Sequence, residues 1–205
     1  MATLTTSIWN MALAMLGSES RIEDEDSTAT HAKLVRNVWD LVRDSFVQGR
    51  EWQWARGMEL LVERPGRADD VNGWEYVYLA PSDMLVPRRI MRGDPRNPAE
   101  ALTSWEQAIG PDGNREIWTL YPEAWLEYTR YVTNMALMPP MSQIALAARL
   151  ATFIAIPLRG GSVPQDLTRG ALTAELDAWV SDRQAQQADP PALASYLAAR
   201  GPLEY

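Results

Sequence analysis

Two segments near the N-terminus carry apolar residues at the spacing of amphipathic helices. The first predicted helix has Thr6 or Ser7 available as a cap, and it ends at Gly17. The second predicted helix covers about residues 27–48, and an acidic connector at residues 19–26 precedes it. A helix of this length is a rod of about 33 Å, which is long for a small domain.

The second helix has identifiable ends and a wide apolar stripe. Trp39 lies on this stripe, so we expect it in the core. We expect Asp26 or Ser27 to cap the helix, and Gly49 to adopt a left-handed conformation after its end. The tryptophan pair in Trp52-Gln53-Trp54 follows where the helical period stops. These large amphipathic rings, Trp52 and Trp54, are predicted to fasten the helical bundle to the β-sheet that follows it.

The hydrophobic period changes from 3.6 to 2 after Arg56. The segment Trp74-Glu75-Tyr76-Val77-Tyr78 alternates and is rich in aromatic residues, which favours a half-buried strand. Turn residues separate four further short runs, at residues 85–91, 103–109, 115–121 and 125–132. The last run also suits a helix, but its neighbours favour a strand. We therefore predict an antiparallel β region.

Helical periodicity returns after Pro139-Pro140. A third helix is apolar on nearly all sides, as is typical of a central buried helix, and a fourth covers about residues 164–187. The predicted fold is α+β. It consists of a four-helix bundle (residues 1–55 and 139–187), an inserted antiparallel β-sheet region (residues 56–138) and an extended C-terminal tail (residues 188–205).

Charge and composition narrow the possible functions of the 205-residue chain. The net charge of −8 argues against a protein that reads nucleic acid, because such proteins normally carry a basic face. The absence of cysteine excludes disulfides, thiolate catalysis and cysteine-ligated zinc. No signal peptide is recognisable, and no apolar run approaches the length that crosses a bilayer. We expect a protein that folds in the cytoplasm and has no membrane partner.

No residue pattern indicates catalysis, a cofactor or a metal. His31 is the single histidine, so a histidine-based triad or a multi-histidine metal site is impossible. The acidic connector lacks the ligand spacing of a calcium loop. Carboxylate pairs such as Glu123 and Glu127, or Glu59 and Glu63, are expected by chance among 27 acidic residues. We predict no catalytic, cofactor-binding or metal-ligating residues, and a protein that is not an enzyme.

The C-terminal tail is the predicted interaction segment. Pro190-Pro191 breaks the fourth helix, and Gly201-Pro202 prevents another long one. The tail nevertheless carries apolar groups that so short a segment cannot bury by itself. We expect it to order on a neighbouring subunit or a partner, although simple fraying of a terminus is the competing interpretation. The predicted interface residues are Tyr196, Leu197, Leu203 and Tyr205.

Six short motifs, in a fixed order, give the chain a resemblance to a known family. They are Ala12-Leu13-Ala14-Met15-Leu16-Gly17, the segment from Ile22 to Asp26, Ala32-Lys33-Leu34-Val35-Arg36 with Arg43-Asp44, Trp52-Gln53-Trp54-Ala55, Tyr78-Leu79-Ala80-Pro81-Ser82-Asp83-Met84-Leu85, and Leu146-Ala147-Ala148-Arg149-Leu150-Ala151 followed by Ile156-Pro157-Leu158. In this order they resemble the tail tubular protein A family of short-tailed phages. Residues 92–121 and the tail carry no recognisable motif of that family.

The resemblance implies a structural protein of the virion. Members of the family form a ring of about twelve subunits at the head–tail junction. The ring binds beneath the portal protein, seats the tail nozzle protein below, and continues the channel through which DNA is ejected. The resemblance therefore implies synthesis in the host cytoplasm, and contact with DNA that is not sequence-specific.

Two other classes of function remain open from the sequence. One is a virion-associated enzyme that cleaves peptidoglycan, which requires a cleft holding a carboxyl group of raised pKa. The other is a helical cytoplasmic scaffold or regulatory protein unrelated to phage. A carboxylate scan with a cell-wall turbidity assay tests the first, and native mass spectrometry tests the second.

Overall fold

The computed structural model describes residues 3–64, 73–92 and 104–186, together with the backbone of residues 101–102. Within these residues, four α-helices and eight strands follow one another. They are α1 (Leu4–Met15), α2 (Thr30–Gln48), β1 (Arg56–Leu60), β2 (Val62–Glu63), β3 (Tyr76–Leu79), β4 (Met84–Arg92), β5 (Ala101–Leu102), β6 (Trp105–Ile109), β7 (Arg115–Thr119), β8 (Ala124–Arg130), a short 3-10 helix (Met135–Leu137), α3 (Pro140–Arg159) and α4 (Gln165–Gln186).

The helix ends differ in detail from those predicted. The cap of α1 is Thr3, whose hydroxyl accepts a hydrogen bond from the Thr6 N–H, and Gly17 has φ +67°, which suits a glycine after a helix end. No side chain caps α2, whose N-cap residue is Ala29. Gly49 is right-handed, with φ −64°, so the predicted left-handed stop is wrong.

The helical region is organised around α3, which packs against each of the other three helices. Small residues of α3 are buried at these contacts, including Ala145, Ala147 and Ala151. Trp39 of α2 is only 7% exposed and meets Trp9 of α1 edge to face, with ring centroids 5.8 Å apart. Trp39 therefore lies in the helical core, as the sequence predicts.

The expectation that no apolar run approaches the length that crosses a bilayer is wrong for the central helix, α3. By length and hydropathy alone, α3 is long and apolar enough to cross a membrane. Half of its most apolar window is buried against the rest of the protein. A core helix of a globular domain has the same properties.

The strands form two antiparallel sheets of four strands each. The order in the first sheet is β1-β8-β4-β5, and in the second it is β2-β3-β7-β6. Apolar side chains from both sheets meet in one cluster between them. This cluster consists of Leu61, Tyr78, Met84, Ile90, Ile117, Ala124, Leu126 and Tyr128.

Residues 56–63 belong to both sheets. β1 pairs with β8, and after Leu61 the same chain continues as β2 and pairs with β3. Gly57 lies opposite Tyr128 in the β1–β8 ladder, and a Cβ atom at Gly57 would come within 2.5 Å of the tyrosine ring. The ring of Tyr128 therefore occupies space that only glycine leaves free.

The predicted four-helix bundle with one inserted sheet is wrong. The described residues are α+β with two antiparallel sheets that enclose a core of their own, so the β region is a second structural unit rather than an insert. The individual strand predictions from residue 74 onwards are confirmed, including the ambiguous last run, which is β8. Alternation along a strand shows which side chains share a face, but not which sheet the strand joins.

Candidate functional site

The interface residues predicted from the sequence lie outside the described residues. Tyr196, Leu197, Leu203 and Tyr205 all follow Gln186, where α4 ends. The described residues of the helical and β regions offer other candidate surfaces. Three of them combine exposed or charged groups in an organised way.

The tryptophan motif after α2 anchors the first of these surfaces. The Trp52 ring stacks on Phe46 with centroids 4.9 Å apart, and its indole N–H donates to the Phe46 carbonyl at 3.1 Å. Trp52 is 1% exposed and belongs to the helical core. Trp54, half-buried, packs beside it at 5.8 Å. Both rings pack on the helical core, and neither belongs to the cluster between the sheets.

Buried ion pairs connect the segment after α2 to the C-terminal helices. Glu175 of α4 accepts hydrogen bonds from Arg50 at 3.1 Å and from Arg149 of α3 at 3.0 Å. Glu175 is only 7% exposed, so removing either of its partners would leave a poorly solvated charge. This carboxylate fixes the position of Arg50 relative to α3 and α4.

Arg88 of β4 joins the two regions of the fold. Its guanidinium donates to the carbonyl oxygens of Gln48 and Arg50 at 2.8 and 2.9 Å, and its Nε donates to Thr129 at 2.8 Å. A cation at the end of α2 complements the helix dipole. Burial lowers the pKa of the Arg88 side chain from its ordinary value, and Glu51 opposes that effect.

These groups surround an open depression of about 380 Å³, which we name the arginine cleft. The guanidinium groups of Arg50 and Arg183 lie 5.4 and 5.2 Å from the ring centroid of Trp179. Arg183 also pairs with Glu51 at 3.0 Å. The residues that line the arginine cleft are Gly49, Arg50, Glu51, Arg88, Trp179 and Arg183.

The arginine cleft and its surroundings are positively charged within an acidic chain. A second, narrower depression continues from Glu51 and Arg88 to Glu127, which pairs with two further arginines. Arg50, Arg88 and Arg183 line the cleft with a single carboxylate, Glu51, so its lining is positive although the chain has a net charge of −8. Around the cleft, Arg56 and Arg89 pair with Glu127, and Arg149 pairs with Glu175.

The second surface is an apolar stripe on the outer side of α4. Small side chains such as Ala171 and Ala178 are buried on one side of this helix. Leu172, Leu176 and Val180 follow at intervals of four residues on the other, and they are 62%, 47% and 40% exposed. A helix with two apolar sides has more apolar surface than its own domain covers.

The third surface is the acidic connector at residues 19–26. Asn10 holds it in place by accepting from the Ile22 N–H at 2.7 Å and donating to the Ile22 carbonyl at 2.8 Å. The Ile22 side chain is 2% exposed and part of the helical core. Glu23 and Asp24 follow and are exposed, and a turn at Glu25 and Asp26 comes after them. The connector is thus a fixed acidic projection next to the start of α2.

The carboxylates considered from the sequence differ in their surroundings. Glu127 is buried in ion pairs with Arg56 and Arg89, both at 3.0 Å, whereas Glu59 and Glu123 are exposed. Within the described residues, no group of three or more potential ligands has the arrangement of a metal site.

Asp182 of α4 is a buried carboxylate whose pKa is raised. Burial raises this pKa, whereas the hydrogen bonds that the carboxylate accepts from the N–H groups of Gln53 and Trp54 lower it. The bond to Gln53 measures 2.6 Å and ties α4 to the tryptophan motif. These contacts give Asp182 a structural role.

Sequence reasoning missed the arginine cleft because its residues come from distant positions. Arg50 and Glu51 follow α2, Arg88 lies in β4, and Trp179 and Arg183 lie in α4. One usable signal was the pairing of Trp179 and Arg183 at i and i+4 on a helix. The partners from β4 and from the end of α2 have no such local signal.

A scan against protein-family models finds no match to this chain. A search of curated proteins finds no significant relative.

Proposed function

We propose that the chain is a structural protein of a phage virion, which forms the adaptor ring between portal and tail nozzle. The observation that carries this proposal is the order of six motifs that resemble the tail tubular protein A family. The Trp52-Gln53-Trp54-Ala55 motif lies between the last turn of α2 and the first strand, where it links the two regions of the fold.

The surface of the helical region supports a role in assembly. The stripe of Leu172, Leu176 and Val180 stays in contact with water in a single copy of the chain. Exposed apolar groups in a row are typical of protein–protein interfaces. In a ring, a neighbouring protein covers such a stripe, and its burial stabilises the assembly.

The charge of the chain also agrees with a channel for DNA. A protein with a net charge of −8 repels the DNA backbone at low ionic strength. DNA then slides along the channel without binding to its wall.

The C-terminal tail supplies a further part of the proposal. We propose that residues 189–205 order on a neighbouring subunit or on the portal, and that Tyr196, Leu197, Leu203 and Tyr205 make the contact. A chain truncated before Asp189 is expected to fold normally, as judged by circular dichroism, and to lose its attachment to the portal. Normal attachment of the truncated chain would contradict this part alone.

The whole proposal is tested by native mass spectrometry and electron microscopy of the purified chain, alone and mixed with the portal protein of the phage that encodes it. The expected result is a closed ring of about twelve copies on the portal. A chain that stays monomeric with the portal present would favour a scaffold or regulatory protein. Clearing of a cell-wall suspension by the purified chain would instead favour a peptidoglycan-cleaving enzyme.

A further inference from the structure

Opposite charges lie beyond the two ends of α2. The acidic connector precedes the helix and contains Glu19, Glu23, Asp24, Glu25 and Asp26, with Arg21 as its single basic residue. The arginine cleft follows the helix, beginning at Gly49. The 19 residues of α2 hold the two surfaces about 28 Å apart.

The two surfaces do not meet within one copy of the chain. α2 is a continuous helix buried against α3, and each end is fixed by contacts of its own. Asn10 holds Ile22 at the acidic end, while Arg88 binds the carbonyl oxygens of Gln48 and Arg50 at the other. The complementary charges of the acidic connector and the arginine cleft can therefore attract each other only between two copies.

We propose that the arginine cleft of one subunit receives the acidic connector of the next subunit. This inference deepens the proposed function, on which it rests, by identifying a lateral contact of the ring. A contact between two different surfaces is heterologous, so it repeats from copy to copy and closes into a ring when the rotation allows it.

The chemistry of the arginine cleft suits carboxylate side chains. Guanidinium groups bind carboxylates through two parallel hydrogen bonds, and they are more weakly hydrated than the ammonium group of lysine. Arg50 and Arg183 already lie against the face of Trp179, which limits their conformational freedom before binding. Glu23 and Asp24, as exposed residues between the buried Ile22 and the turn at Glu25 and Asp26, are the groups that enter the cleft.

The absence of cysteine allows a direct test by disulfide cross-linking. Asp24→Cys and Arg183→Cys are prepared as separate proteins, mixed at high concentration and oxidised. The expected result is a covalent dimer in the mixture, in much higher yield than in either protein alone. In the matched control, one of the two cysteine proteins is exchanged for Asn114→Cys, whose cysteine lies at an exposed turn of the β region. Equal yields with the control would overturn the proposal and leave the cleft to a partner other than a second copy.

Charge reversal provides an independent measurement. Asp24→Lys is expected to weaken self-association about tenfold, as measured by analytical ultracentrifugation, and adding salt should reduce the difference. When the Asp24→Lys protein is mixed with an Arg183→Glu protein, most of the lost association should return, because the two reversed charges again attract each other. No effect of Asp24→Lys, or no restoration, would overturn the proposal. Circular dichroism of each variant checks that it is folded.

These results are distinguishable from a failure of the proposed function. If the chain joins a portal but the mixed cysteine variants do not cross-link above the control, the lateral contact is wrong and the adaptor role stands. If the variants cross-link specifically but the chain does not bind the portal, the contact stands and the adaptor role is wrong.

Discussion

The helical region and the β region differ in what fills their cores. Among the described residues, the helical core contains 25 buried apolar residues, whereas the cluster between the two sheets contains eight. Buried carboxylates held in ion pairs occur in both regions, at Glu175 in the helical region and at two positions beside the smaller cluster of the β region. Glu116 is fully buried and bound to Arg64, and Glu127 is 5% exposed and bound to Arg56 and Arg89.

This difference means that the two regions should respond to different perturbations. Apolar burial stabilises the helical region, so loss of volume is its main weakness. Backbone pairing and ion pairs contribute more in the β region, so changes of charge and of close contacts should affect it more. Four substitutions test this contrast.

Trp52→Ala should have the largest effect, because it removes the stack on Phe46 and leaves a cavity in the helical core. We expect a loss of about 3–5 kcal/mol in the free energy of unfolding. Urea denaturation followed by circular dichroism measures it. Trp54→Ala, at a half-buried neighbour in the same motif, is the control and should cost clearly less. Equal costs would mean that the stack is not the main contribution.

Tyr128 should make the β region sensitive to alkaline pH. Burial first, and then Asp83, raise the pKa of Tyr128 to about 12 from the ordinary value of 10.0. The folded state holds the proton more tightly, so stability is fully present below pH 10 and is lost as the pH rises through about 12. The expected loss is about 2–3 kcal/mol. Tyr128→Phe should flatten the pH dependence, measured by denaturation at several pH values. An unchanged profile would contradict the assignment to Tyr128.

Gly57→Ala should destabilise the pairing of β1 with β8. The added methyl group would lie 2.5 Å from the Tyr128 ring. We expect a cost of about 1–3 kcal/mol from overpacking. Hydrogen exchange with mass spectrometry should show that the substitution speeds exchange in β1 and β8 more than in the helices. In a double-mutant cycle with Tyr128→Leu, the cost of Gly57→Ala should fall, and simple additivity would count against the steric explanation.

Gly170→Ala should have the smallest effect, and its sign is opposite. Gly170 lies in α4, where an added Cβ atom meets nothing within 4 Å. Alanine favours the helix over glycine, so the melting temperature should rise, with a gain of about 0.5–1 kcal/mol. A fall in the melting temperature would indicate that the exposed side of α4 already has a partner in solution.

Much of the local structure was predictable from the sequence, because it depends on neighbouring residues. The four helices follow from apolar periodicity, and Trp39 is buried because it lies on the apolar stripe of α2. The strands β3, β4, β6, β7 and β8 follow from alternation and turn residues. Strands β1 and β2 were not predicted individually, since the alternation of Met58, Glu59 and Leu60 is only three residues long and gives way to the apolar Leu61 and Val62.

The arrangement of these elements was not predictable, because it depends on residues far apart in the sequence. The two-sheet topology is set at Leu61, where an ordinary leucine marks the change from one sheet to the other. The arginine cleft depends on Arg88, which reaches the end of α2 from 38 residues away. The four tail residues predicted as an interface remain a prediction.

The strand shared by the two sheets also determines how the protein bears mechanical load. Residues 56–63 follow the tryptophan motif directly, so tension applied to the helical region enters the β region along this strand. Its first half is bonded to β8 and its second half to β3. A pull along the strand therefore loads both ladders in shear, and many hydrogen bonds must break together. Such a strand makes forced unfolding slow.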